Sequence, residues 1–273
     1  MWTQIVGKIR LALSPPMNHW WGTTLYVSAR GLTTSPMPHP GRVFEIEFDF
    51  IDHNLAIRSE DGAKRFVPLY ARSVADFYAE VMAVLHAGGL DVKIWPKPVE
   101  LPDPIPFADD HQHASYNPEQ VNRFHHVLSR VDSVLKTFRG GFAGKASPVH
   151  FFWGSFDLAV TRFSGRRAPE REGADAMTRE AYSHECSSAG FWPGSGPIAG
   201  PAFYAYMAPE PQGYAAAPVK PPALYHTGLN EFILMYDDMR RAESPENALL
   251  DFLQSTYEAG ATLGKWDRTA LER

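Results

Sequence analysis

A single cysteine, Cys186, stands among 273 residues. The chain therefore has no internal disulfide and fits a reducing compartment, so a cytoplasmic location is expected. No apolar run reaches the ~20 residues that a bilayer span needs. The opening MWTQIVGKIRLALSPP is interrupted by Lys8 and Arg10, where a secretory signal keeps an unbroken apolar stretch. Basic charge is not in excess either: 26 Lys and Arg against 31 Asp and Glu leave a net charge of −5. That balance argues against nucleic acid or an anionic membrane as partner. Recognised chemical motifs are also missing. HExxH, paired CxxC, and the Walker and dinucleotide fingerprints do not occur, and Gly140-Gly141-Phe142-Ala143-Gly144 follows a helical pattern rather than a strand.

What the chain does contain is aromatic residues, 13% of the total, and a repeated pattern. Residues 147–165, SPVHFFWGSFDLAVTRFSG, are echoed by 14–31, SPPMNHWWGTTLYVSARG. At an offset of 132, Trp21-Gly22-Thr23 matches Trp153-Gly154-Ser155 and Arg30 matches Arg162. The echo predicts an internal duplication.

Each copy continues in a similar way. A helix is predicted over 2–13, then a strand at 22–29. Residues 43–51 alternate Phe44, Ile46, Phe48 and Phe50 with Glu45, Glu47 and Asp49, the period-2 signature of a strand with one buried and one solvated face. Asp61-Gly62 is a hairpin signal before a further strand at 63–69. Ser73 opens a helix, and a short strand is expected at 91–95 before the proline-rich connector 96–106. Asn117-Pro118-Glu119 is a strong helix start, followed by apolar residues from Val121 to Phe138 at spacings of 3 and 4. In the second copy come a polar loop at 165–180, a Pro/Gly-rich insertion at 187–222, strands near 202–207 and 230–236, and a helix from Pro245. The expected fold is α+β, with two similar half-domains, each an antiparallel sheet with packed helices. Their limits are 1–106 for the N-terminal half, 107–146 for a connecting loop and central helix, and 147–273 for the C-terminal half, all packed as one unit.

The motifs MNHWW, YVSARGLTTSP, EIEFDFIDH, PVHFFWGSFDLAVTRFSG and YSHECSSAGFWPG resemble those of a bacterial family known only as a domain of unknown function. The resemblance spans nearly the whole chain. It implies kinship and supplies no activity, cofactor or catalytic residue. It also implies extra residues before the equivalent of Trp2, in keeping with a first helix that has no N-cap.

Two places for chemistry emerge from residue types. His111 and His113 in Asp-His-Gln-His, His150 ahead of an apolar strand, and His184-Glu185 together offer nitrogen and carboxylate ligands for a Zn²⁺ or Fe²⁺ ion. Within that set His150, His184 and Glu185 are candidate catalytic residues. A second candidate is an aromatic cleft with Trp21, Trp153, Trp192 and Tyr204, in which Arg30 and Arg162 would clamp an anion with their forked donors. Cys186 is read as a buried thiol rather than a nucleophile. The leading function is an enzyme acting on a small molecule, with an anionic substrate and a metal as options. The alternative is a non-catalytic protein that binds or senses a small molecule.

Overall fold

The computed structural model describes residues 1–221 and 223–273. The chain divides into two compact units. The first comprises residues 1–17, 21–129 and 151–155; the second comprises 18–20, 130–150 and 156–273. The division falls inside the long helix 118–140, so the two units do not follow the simple order of the chain.

The first unit begins with α1 (Trp2–Leu13), whose Ile5, Val6 and Ile9 are fully buried. Its strands are β1 (Tyr26–Val27), β2 (Gly31–Thr33), β3 (Met37–His39), β4 (Arg42–Asp49), β5 (Asn54–Ser59) and β6 (Lys64–Pro68). They form an antiparallel sheet in the order β1-β2-β4-β5-β6, with β3 also paired to β4. α2 (Val74–Ala87) follows, with the Ser73 hydroxyl accepting from the Asp76 amide, and buries Val74, Phe77, Val81 and Leu85. The predicted strand at 91–95 is irregular chain. α3 (Pro118–Gly140) starts where expected: the Asn117 side chain accepts from the Gln120 amide at 3.0 Å.

After β7 (His150–Phe152), of which only His150 falls in the second unit, that unit adds β8 (Asp157–Arg167), α4 (Ala176–Ala181), β9 (His184–Trp192) and β10 (Ala202–Ala208). It ends with β11 (Leu224–His226), β12 (Glu231–Met235), α5 (Tyr236–Arg240), α6 (Pro245–Leu263) and α7 (Arg268–Leu271). The sheet order is β11-β12-β10-β9-β8-β7, antiparallel. Both sheets are antiparallel and have six strands, as two α+β half-domains predict, but they differ in detail: β3 pairs beside the main path of the first sheet, whereas all six strands of the second lie on one path. Among the described residues no helix is long and apolar enough to cross a membrane.

Three expectations change. The echoed turns do not share a conformation. Residues 18–23 wind into a 3-10 turn with His19 and Trp20 in the left-handed region (φ 56° and 60°), whereas 150–152 is a strand. The predicted strand at 22–29 shrinks to β1 as a result. The insertion 187–222 is less a loop than the predicted pattern implies, because β9 runs to Trp192 and β10 occupies 202–208. Third, the acidic row of β4 is not a solvated face. Glu47 and Asp49 are buried, held by Arg58 at 2.6 Å and Arg30 at 2.5 Å respectively, and Ser28 donates to Glu47 at 2.6 Å. Alternation reports two faces but cannot tell water from basic partners.

Candidate functional site

The second sheet has two chemically different faces. Met207 of β10 packs on Gly260 of α6, and Phe203 packs on Tyr236 of α5. The alternate residues Tyr204 and Tyr206 therefore point the other way, because successive strand side chains alternate. Register carries this polar face across the sheet. Tyr204 pairs with Gly190 and Tyr206 with Ser188 on β9, and these pair with Ala159 and Thr161 on β8. On β12, Ile233 lies opposite Tyr204, and Glu231 alternates to the same side.

The Tyr204 hydroxyl crosses β9 and donates to Asp157 at the start of β8. Gly190 permits this crossing, since a Cβ there would fall 2.7 Å from the phenol oxygen. The Tyr206 ring stacks on Tyr204 at 6.1 Å, and its hydroxyl bonds that of Tyr182 at 2.9 Å. The Arg171 guanidinium covers Tyr182 at 3.9 Å. Burial first, and the Asp157 charge second, push the Glu231 carboxyl up to about 7. Burial likewise lifts the Tyr204 and Tyr206 phenols well above their ordinary range, so both keep their protons. His226 lies across the strand pair from Glu231, with its Nδ1 accepting from the Leu229 amide at 3.2 Å. Beside these groups Trp192, Ile198, Ala202, Leu229, Ile233 and Met235 form an apolar wall that Tyr204 joins. One face thus combines two coupled carboxylates, three tyrosines and an apolar flank.

At the Arg167 end of β8 the same face turns basic. The Lys145 ammonium lies 2.8 Å from His19 Nε2, and the His19 ring sits 4.5 Å from that of Phe163 and 5.7 Å from that of His184.

A protein-family model for a family of unknown function, DUF5996, matches residues 1–273. The chain belongs to that family. No curated protein and no solved structure matches it. The DUF5996 assignment agrees with the motif resemblance and brings no activity, so the residues alone define the site.

The residues singled out in sequence distribute as follows in this DUF5996 chain. Trp192 and Tyr204 are brought together on the polar face. Trp153 is instead a core residue of the first unit. Its indole lies against Gly7, where a Cβ would fall 2.3 Å away, and donates to the Thr23 carbonyl. Trp21 is half-buried in the 3-10 turn, with its carbonyl accepting from Thr24 Oγ1 at 3.3 Å. Arg30 is taken up by Asp49 and Asp52 at 2.5 and 2.6 Å. Arg162, 1% exposed, is boxed by aromatic rings, with its guanidinium 3.4 Å from the Phe138 centroid and 4.4 Å from that of Tyr257. Burial holds it down to about 10. Neither arginine is set as an open anion clamp.

His111, His113, His150, His184 and Glu185 are not gathered as one ligand shell. Among the described residues no group of three or more His, Cys, Asp or Glu is placed to hold a metal ion. Local partners account for much of this. His113 Nδ1 bonds the buried Asp110 at 2.8 Å, and His184 Nδ1 bonds Ser183 Oγ at 3.0 Å. Glu185 accepts from Arg166 at 2.8 Å and Ser164 at 2.9 Å. His184 and Glu185 are strand neighbours and so face opposite sides. His111 is an exposed loop residue, and His150 is fully buried at the start of β7. Burial pushes the Cys186 thiol up to about 12, in keeping with an inert sulfur.

Asp157, Glu231, Lys145 and Gly190 were not singled out from the sequence as site residues. One signal was present. Asp157 and Glu231 are each a lone carboxylate at the entry of an apolar strand, DLAV and EFILM.

Proposed function

We propose that this protein is an enzyme that moves a proton on a small polar molecule held against the face of the second sheet that turns away from α6. The observation that carries this reading is the pairing of two carboxylates in different settings. Asp157 is an acceptor fixed by Tyr204, and Glu231 is half-buried beside that negative charge. A carboxyl raised toward neutrality beside a second carboxylate can both give and take a proton, so the pair can divide the roles of acid and base. The tyrosines orient the pair, and the wall around Trp192 supplies apolar contact for the ligand. The single buried thiol fits the same proposal's cytoplasmic location.

The test is ¹H NMR of pooled small polar metabolites in D₂O, with parent protein, Glu231→Gln and Tyr204→Phe. Protein-dependent deuterium uptake or conversion should drop at least 100-fold in Glu231→Gln, consistent with general acid–base contributions. Turnover that survives this substitution unchanged contradicts the assignment.

A second, non-catalytic reading has its own observation. An open groove of about 640 Å³ on the first unit is lined by residues including Gln112, Tyr116, Asn117, Gln120 and Phe124, with no carboxylate, imidazole or amine among its lining. Behind it Trp2 stacks on Tyr116 at 5.3 Å and on Phe77 at 4.3 Å. Such a surface suits binding without chemistry. Saturable ligand binding that is lost in Gln120→Ala and intact in Glu231→Gln would support it.

A further inference from the structure

We propose that Lys145, His19, His184 and Arg167, at the end of the polar face remote from Asp157, form a binding site for the oxyanion of a small molecule, a carboxylate or a phosphate. Four separate segments converge there. Residues 145–147 are pinned to β8 by the Phe163 amide donating to the Lys145 carbonyl at 3.0 Å and the Ser147 amide to the Thr161 carbonyl at 2.8 Å. This places the Lys145 ammonium over the Phe163 ring, 5.2 Å from its centroid. His19 is 5% exposed and reaches the cluster only through the left-handed backbone at His19 and Trp20. Consecutive left-handed residues other than glycine are costly and concentrate at functional sites.

The hydrogen bonds fix the protonation. His19 Nδ1 donates to the Ala181 carbonyl at 3.0 Å, so Nε2 is the acceptor for the Lys145 ammonium at 2.8 Å. His19 is therefore neutral, a state that burial, Lys145 and His184 all favour. His184 is held down by burial and then by Lys145 and Arg167, which lies opposite it in the strand register. Lys145 is exposed and accessible, and Glu185, next in sequence, is bound to Arg166 on the other face. Two positive charges and two imidazoles whose proton affinity is lowered first by burial and then by nearby charge make a site whose electrostatic cost falls when an anion arrives. The imidazoles then gain proton affinity. Phe163 is six residues from Asp157 along β8, roughly 20 Å. The anion is thus a remote anchor or an independent ligand, and the inference does not rest on Glu231 acting as the acid.

The full chain, ¹⁵N-labelled at histidine, is titrated with inorganic phosphate and separately with acetate, at constant ionic strength and with chloride as reference. Expected are saturable shifts of the His19 and His184 ring signals, assigned with His19→Gln and His184→Gln, and higher protonation midpoints for both. Lys145→Met should weaken binding at least tenfold, Lys145→Arg should retain it, and Arg167→Met should weaken it independently. Saturation by phosphate alone or acetate alone identifies which oxyanion the site takes. Glu231→Gln should bind normally, which separates this site from the proton-transfer assignment. Shifts that rise linearly and equally with all three salts, or saturable binding unchanged in Lys145→Met, would overturn the proposal.

Discussion

Replacing Glu231 by Gln should remove a specific pH dependence of stability. The carboxyl has an ordinary value of 4.5 and is pushed to about 7 in the folded protein by burial and by Asp157. An acid raised in this way holds its proton more tightly folded than unfolded. Its contribution to stability is complete below 4.5 and is lost as pH climbs through that interval toward 7. The interval corresponds to an upper bound of ~3 kcal/mol, which solvent screening at a half-buried carboxyl reduces to ~1–2 kcal/mol. Glutamine mimics the neutral acid and cannot ionise. The variant and the parent should therefore melt together at pH 4.5, while at pH 8 the variant should be more stable by that amount, roughly 3–6 °C. The assay is thermal unfolding of both proteins at half-unit steps from pH 4.5 to 8, read as the difference between them so that other groups cancel. A difference that stays flat across this range would mean that folding does not raise the Glu231 carboxyl.

The other expectations concern packing. Gly190→Ala places a Cβ 2.7 Å from the Tyr204 hydroxyl and 2.4 Å from the Leu158 carbonyl. It should lower stability by ~1–3 kcal/mol in chemical denaturation and reduce any turnover with it. Arg162→Ala should cost ~3 kcal/mol or more by leaving a cavity among Phe138, Phe142 and Tyr257, whereas Arg162→Met should cost much less because it fills the aromatic box without a buried charge. Equal losses in denaturant titrations would show that the charge itself matters. Cys186, 2% exposed, should resist a thiol reagent at pH 8 and react stoichiometrically after unfolding in guanidinium.

Much of the fold was legible because its signals are local. Alternation fixed β4, Asn117-Pro118 fixed the start of α3, and Ser73 with Asp76 fixed that of α2. The 3-10 turn at 18–23 was not legible. His19 and Trp20 are poor left-handed residues on propensity, and tertiary partners of His19 such as Ala181 and Phe163 help hold it there. β9 was hidden for the opposite reason: His-Glu-Cys-Ser-Ser-Ala-Gly carries little strand propensity, and register with β8 and β10 determines it. The site was the least legible part. Tyr204 and Trp192 stood out by type, but Asp157 and Glu231 lie 74 positions apart in sequence and meet only once β8, β9, β10 and β12 pair in order. Histidine counting pointed to a metal, yet two of those rings, His113 and His184, are committed to Asp110 and Ser183.

The proposed role of Glu231 as a proton carrier requires a carboxyl poised at neutral pH. It is tested most directly by a carboxyl titration: ¹³C NMR of protein labelled at glutamate Cδ, followed from pH 3 to 9, with Glu231→Gln for assignment. One carboxyl should show a midpoint near 7 and be missing in the variant. If every glutamate titrates near the ordinary value of 4.5, Glu231 is ionised at neutral pH and the proposed site has no acid.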